Sequence, residues 1–263
     1  FGPEATFTHQ AAIKKFGSSL NYSPHKTIAD VFTEVSKRRA DYGVVPVENS
    51  TEGMVTHTLD MLVESELKIV SQIVLRIQQC LISNSKMGDL KKIYSHPQPI
   101  AQCRHYLQTH LPNVELVETS STTRAAELAA REKGCAAIAS ALAAERYGLE
   151  ILEKDIQDSS SNATRFYVLG RQCSPPTGQD RTSLMLSIAD KVGALHRALT
   201  PFDKYKLNMT RIESRPNKKK AWEYFFFVDC DGHFQDPKVA RALVEIEKEC
   251  TFVKVLGSYP NAE

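Results

Sequence analysis

Through the first ~170 residues, apolar runs of strand length alternate with apolar positions at helical spacing, which restricts this region to an α/β fold with a parallel or mixed sheet. Residues 41 to 47 form a Val-rich run that closes on Glu48 and Asn49, predicting a buried strand. Val55, Leu59, Leu62 and Val63 then recur at helical spacing. Residues 69 to 82 carry enough β-branched side chains for one or two strands. Ile93 and Tyr94 lead into a short strand end, and helix follows Gln98. Residues 114 to 118 and 135 to 139 predict further strands, with an Ala-rich helix from Arg124 to Arg131 between them. Residues 140 to 147 predict a helix with Ser140 as N-cap and Gly148 as stop. Phe166 to Leu169 closes the region as a strand.

Residues 171 to 181 hold Ser174, Pro175, Pro176 and Gly178, the chemistry of a linker. Beyond it the pattern changes. Thr182 to Ile188 predicts a strand and 192 to 204 a helix. Leu207 to Ser214 and Trp222 to Cys230 predict two strands around a polar loop. Asp236-Pro237 opens a helix carrying Val239, Leu243 and Ile246, and Phe252 to Leu256 is a last strand. The order β-α-β-β-α-β is that of a ferredoxin-like module.

Composition narrows the function classes. The chain is 42% hydrophobic and 24% charged, with a formal net charge of +2. Its longest basic run, Lys218-Lys219-Lys220, reads as a solvated loop, so no nucleic-acid partner is expected. No apolar run approaches ~20 residues, so no membrane span is expected. No secretory signal opens the chain, and Phe1 precedes a turn as if the front of a strand had been cut away. Cys80, Cys103, Cys135, Cys173, Cys230 and Cys250 lack metal-ligand spacing and read as reduced residues of a cytoplasmic protein. There is no Gly-rich phosphate or dinucleotide loop, no zinc-type His pair and no Gly-x-Ser-x-Gly elbow.

Polar clusters fall where strands end, the positions that line the ligand crevice of an open α/β sheet. They are Gly2 to Thr8, Pro46 to Gly53, Tyr94 to Pro99 and Thr119 to Thr123. Hydroxyls at helix starts serve as ordinary caps, and they also suit carboxylates or phosphates. Four such clusters together favour a shared anionic ligand. His96 beside Pro97 reads as a turn-fixing residue, and His9 as a residue of a helix surface. Asn162-Ala163-Thr164-Arg165-Phe166 reads locally as a loop re-entering a strand.

The chain resembles the prephenate dehydratases along its whole length. The stretches that carry this are Gly2-Pro3 to Phe7, Val45-Pro46-Val47-Glu48-Asn49-Ser50, Tyr94-Ser95-His96-Pro97-Gln98-Pro99, Thr164-Arg165-Phe166 and Glu213-Ser214-Arg215-Pro216. Ala5 stands where the family usually has glycine. The resemblance implies a two-lobed, periplasmic-binding-protein-like α/β catalytic region over 1–172, with its second lobe about 75–155 and the active site in the cleft between the lobes. A ferredoxin-like βαββαβ ACT domain over 181–263 follows. It implies Thr164 as the essential hydroxyl, with Asn49 and Gln98 orienting the substrate. Thr6, Ser50, Ser121, Arg165 and Phe166 are then substrate contacts, and Glu48 orders its loop. An effector site for L-phenylalanine is implied at Gly193, Ala194, Leu195, Asn208, Glu213, Ser214, Arg215 and Pro216.

The implied reaction is decarboxylating dehydration of prephenate to phenylpyruvate, with no cofactor and no metal, in a homodimer or homotetramer. Arogenate is an alternative substrate, and a non-catalytic amino-acid-sensing protein an alternative class. A chorismate mutase domain ahead of Phe1, as in bifunctional relatives, is a further expectation.

Overall fold

The computed structural model describes residues 1–217 and 223–261. The elements begin with α1 (Phe7–Phe16), α2 (Ile28–Ser36), β1 (Gly43–Asn49), β2 (Gly53–Met54), α3 (Thr56–Glu64), β3 (Lys68–Arg76) and β4 (Cys80–Ser83). Next come β5 (Lys92–Ser95), α4 (Pro97–Gln102), α5 (Arg104–His110), β6 (Glu115–Glu118), α6 (Thr122–Arg131), β7 (Cys135–Ala139), α7 (Ala141–Tyr147) and β8 (Glu150–Glu153). The chain ends with β9 (Ala163–Gly170), β10 (Asp180–Ser187), α8 (Ala194–Lys204), β11 (Met209–Pro216), β12 (Tyr224–Asp231), α9 (Pro237–Glu249) and β13 (Phe252–Pro260). Two compact units divide these residues. The first takes Phe1–Asp30, Pro46–Val55 and Val74–Phe166, and the second Val31–Val45, Thr56–Ile73 and Tyr167–Glu263.

The first unit is built on a mixed sheet of order β6-β5-β7-β4-β8. Strand β5 runs parallel to β6 and β7, whereas β4 runs antiparallel to β7 and β8. The pleat sorts β7 between two cores. Cys135, Ala137 and Ala139 face Ala125, Ala126, Ala143 and Ala144 of α6 and α7, and Ala136 and Ile138 face Leu107 and Leu111. Small residues on both sides of the first contact let helix and strand approach closely. Helix α7 starts as expected, with Ser140 Oγ accepting from Ala143 N at 3.2 Å, and stops at Gly148, whose φ of 62° is left-handed. The same Ser140 hydroxyl donates to Ala5 O at 3.1 Å.

Ala5 itself has φ 63° and is buried. That conformation costs an L-residue about 1–2 kcal/mol. Glycine would relieve it, but would lose about 0.8 kcal/mol of methyl burial and about 0.4–1 kcal/mol through the freer unfolded chain. These effects nearly cancel. Ala5→Gly is therefore expected to change stability by no more than about 1 kcal/mol in denaturant unfolding. A gain beyond about 2 kcal/mol would mean that backbone strain dominates here.

The second unit contains an antiparallel sheet of order β11-β12-β10-β13. Its connectivity is the β-α-β-β-α-β expected from the sequence. One face meets α8 and α9, where Leu184, Leu186, Val228 and Cys230 pack on Phe202, Val239, Ala242 and Ile246. The other face carries a buried polar network. Asp229 receives a hydrogen bond from Ser183 Oγ at 2.6 Å, and its Oδ2 lies 3.0 Å from Arg211 Nε in an ion pair. Arg211 also donates to Tyr167 Oη at 2.7 Å, and Ser183 shares a 2.7 Å bond with Tyr259 Oη. Burial pushes both phenols up, so they stay protonated. A Cβ at Gly257 would lie 2.1 Å from Ile69 O, so only glycine permits this backbone approach. Lys254 Nζ donates to Ser65 O at 2.6 Å and to Val63 O at 3.3 Å, satisfying carbonyls at the end of α3.

Several local expectations shift. Strand β9 begins at Ala163, so Thr164 and Arg165 lie in the strand and not in a loop. Asp236 precedes α9 but does not cap it through its side chain; its carboxylate accepts from His233 N at 2.8 Å. Helix α2 has no counterpart among the expected elements, although Ile28, Val31, Phe32 and Val35 form its buried stripe. Lys218-Lys219-Lys220 and the strand start at Trp222 lie outside the described residues.

Candidate active site

The site residues of the first unit are organised by the neighbouring strands β1 and β9. Burial alternates along β1 and over the first four residues of β9. Val47 and Asn49 face the interior of β1, as do Thr164 and Phe166 on β9, while Glu48 and Arg165 point to the half-buried side. Asn49 is 8% exposed and Thr164 9%. Asn49 Nδ2 donates to Thr164 Oγ1 at 2.9 Å.

The polarity of that bond decides what each residue can do. Asn49 Nδ2 also donates to Asn162 Oδ1 at 3.0 Å. Its Oδ1 accepts from Thr51 N at 3.0 Å, Thr51 Oγ1 at 2.6 Å and Glu52 N at 3.2 Å. Both ends of the Asn49 amide are thus held within the protein, and one of its N–H groups is directed at Thr164. Thr164 accepts through oxygen, and among the described residues no group accepts its proton. The hydroxyl therefore keeps its proton available for donation.

The other expected contacts sort by the same test. Thr6 caps α1, accepting from His9 N at 3.4 Å, and gives its proton to Pro3 O at 3.0 Å. Ser50 gives its proton to Ser161 O at 3.1 Å and accepts from Ala163 N at 2.9 Å. Ser121 caps α6 by accepting from Arg124 N at 3.0 Å, and its proton has no acceptor among the described residues. Of these three hydroxyls, Ser121 alone keeps a free donor for a carboxylate. Gln98 stands in the first turn of α4, half-buried, with a carboxamide that makes no hydrogen bond among the described residues. His96 is the N-cap of that helix, its Nδ1 accepting from Gln98 N at 3.4 Å, so it fixes the turn as its place beside Pro97 suggests.

Arg165 and Phe166 are placed differently from these hydroxyls. Arg165 leaves the opposite face of β9 from Thr164, with Glu48 Oε2 3.7 Å from its guanidinium, so its charge is engaged by a carboxylate of the protein. Phe166 is 1% exposed and packs in the core. Asn162 and Gln102, which the site gathers, had no assigned role. Asn162 lies within a noticed stretch, whereas Gln102 has no local signal.

In the second unit, Gly193 opens α8 with φ 75°, followed by buried Ala194 and half-buried Leu195. Asn208 Nδ2 donates to Asp231 Oδ2 at 2.9 Å. Along β11, Glu213 and Arg215 face one side and exposed Ser214 and Pro216 the other. Arg215 Nη2 donates to Asp60 Oδ1 at 2.9 Å, so its charge is tied to α3 and an anionic effector would have to compete for it.

Among the described residues, no group of three or more His, Cys, Asp or Glu is arranged to hold a metal ion. Burial pushes the thiols of Cys103 and Cys230 up to about 12, so neither supplies a thiolate near neutral pH.

The architecture is that of an α/β region continued by a four-stranded βαββαβ module of ferredoxin-like type. The family described as prephenate dehydratase matches residues 1–174, and the ACT domain family matches residues 182–248. The chain belongs to the prephenate dehydratase family. It is 50% identical over 262 residues to the bifunctional chorismate mutase/prephenate dehydratase of Aquifex aeolicus (strain VF5), covering 99% of this chain and 72% of that one. A solved prephenate dehydratase from Arthrobacter aurescens, in complex with L-Phe, superposes with TM-score 0.91 at 34% identity, covering 100% of this chain and 89% of the other. The structure of GqqA, described as a novel type of quorum quenching acylase, superposes with TM-score 0.90 at 31% identity, covering 99% and 96%.

Proposed function

We infer that this chain is a carbon–oxygen lyase that converts prephenate to phenylpyruvate, water and carbon dioxide, and that L-phenylalanine regulates it through the ACT domain. The observation that carries the catalytic part is the 2.9 Å bond from Asn49 to Thr164, which leaves the threonine proton without an acceptor among the described residues. In the reaction the ring C–O bond breaks with its electron pair going to the departing hydroxide, which takes up a proton from solvent to become water. The bond to the ring carboxylate breaks with loss of carbon dioxide, and its electron pair completes the aromatic ring. Thr164 donates a hydrogen bond to the leaving oxygen as negative charge grows there. A threonine hydroxyl is a weak acid, so directed hydrogen bonding fits it better than outright proton transfer. Gln98 orients the substrate with its free amide, and Ser121 donates to a carboxylate.

We assign residues 1–172 to the catalytic region and 181–263 to the ACT domain. All six cysteines are free, which suits a reducing compartment, and we take the cytoplasm as its location. None of the described helices is long and apolar enough to cross a membrane. Exposed Val192, Ile212, Tyr224 and Phe252 give the ACT domain apolar surface for pairing in a homodimer or homotetramer.

Amide hydrolysis is the rival reading raised by the likeness to GqqA. A nucleophilic threonine needs a base, and the partner of Thr164 is an amide N–H, which cannot take its proton. The deciding experiment offers one enzyme preparation prephenate, arogenate and an acylated amide, and follows product with and without phenylalanine. Prephenate turnover is expected, and saturating phenylalanine is expected to weaken prephenate binding by about 5- to 150-fold. An unchanged prephenate affinity and rate at saturating phenylalanine would remove the regulatory reading.

A further inference from the structure

A line of carboxamides runs through the first unit behind Asn49. Asn49 Nδ2 donates to Asn162 Oδ1 at 3.0 Å, and Asn162 Nδ2 donates to Gln102 Oε1 at 3.1 Å. Gln102 Nε2 donates to Glu52 Oε1 at 3.3 Å, and Gln79 Nε2 donates to Gln102 Oε1 at 3.3 Å. The direction of each bond follows from the last member. An ionised Glu52 only accepts, so Gln102 turns its NH2 toward Glu52 and its oxygen toward Asn162. Asn162 must then present its own oxygen to Asn49. The backbone N–H groups of Thr51 and Glu52 hold Asn49 Oδ1 from the other side, so its NH2 faces Thr164. Thr164 is thereby compelled to accept, and its proton points elsewhere.

We propose that Gln102 is a positioning residue for the dehydration: through Asn162 it sets the polarity of Asn49 and so aims the Thr164 hydroxyl at the leaving oxygen. The inference rests on the prephenate dehydratase reading above. Gln102 also stands four residues after Gln98 on the same face of α4, so the bonds that hold Gln102 orient the helix that presents Gln98.

The test is steady-state kinetics with prephenate on full-length protein, paired with melting temperatures. Gln102→Met keeps length and removes both polar ends. Its kcat is expected to fall about tenfold or more through misaimed hydroxyl geometry, while KM stays within about threefold because no substrate contact is lost. The paired variant Gln102→Glu/Glu52→Gln restores an acceptor toward Asn162 and a donor–acceptor bond across the pair. It is expected to return kcat to within about threefold of the parent. A merely structural glutamine would move the melting temperature and leave kcat per folded molecule unchanged. A folded Gln102→Met with the parent's kcat overturns the proposal, as does a paired variant that melts like the parent yet stays as slow as the single one. If Gln102→Met does not fold, the paired variant decides alone: kcat near the parent's supports the proposal, and a loss of about tenfold at the parent's melting temperature overturns it. A parent enzyme inactive on prephenate sinks the functional reading and this inference with it. An active parent beside an equally active Gln102→Met sinks this inference only.

Discussion

Thr164→Ala is expected to lose about 10²–10³-fold in kcat for prephenate, the cost of removing one donor aimed at developing charge. Its fold should survive. The lost bond from Asn49 contributes about 1 kcal/mol, and in a chain of this size that lowers the melting temperature by about 2–4 °C. Thr164→Ser keeps the hydroxyl and should retain most of the rate. Asn49→Asp is the informative neighbour, because a carboxylate opposite Thr164 would draw the threonine proton toward itself. It is expected to approach the alanine variant in rate although Thr164 is intact. Steady-state formation of phenylpyruvate measures all three, and a Thr164→Ala enzyme running at the parent's kcat would end the assignment of Thr164.

Asp229→Ala carries the largest expected effect on stability. Its carboxylate is 1% exposed and faces an Arg211 side chain that is 10% exposed. Removing the carboxylate takes the counter-charge from a buried guanidinium and leaves Ser183 without its 2.6 Å acceptor, at a cost of about 3–5 kcal/mol. Replacing Asp229 and Arg211 together with apolar residues should recover most of that loss, because the expensive state is the unpaired charge and not the missing pair. Denaturant unfolding of the single and double variants measures both. A loss below about 1 kcal/mol in the single variant would mean that the Arg211 charge reaches water. The network includes Tyr167, three residues past Thr164 on β9, so its integrity bears on the strand that holds the candidate catalytic hydroxyl.

The expected strands and helices recur at near their predicted bounds wherever a local pattern fixes them. Ser140 and Gly148 bracket α7, and the β-α-β-β-α-β order of the last module follows from apolar spacing alone. The family motifs were legible as residue types in order. Their individual roles were less so. Arg165 has the chemistry of a carboxylate clamp, yet strand alternation turns it away from Thr164 and beside Glu48. Arg215 looks like an effector contact, yet Asp60, 155 residues away in the chain, holds it.

What the sequence by itself determined is the α/β region, the ferredoxin-like module and the short set of hydroxyls and amides from which a site is made. Hydrophobic period and capping chemistry act over a few residues, so they can be read along the chain. Which way each hydrogen bond points was decided only by tertiary structure. Asn49 and Thr164 are 115 residues apart, and the direction of their bond depends on Asn162, Gln102 and Glu52 meeting in one place. A carboxamide can donate or accept, and only its folded neighbours choose between the two.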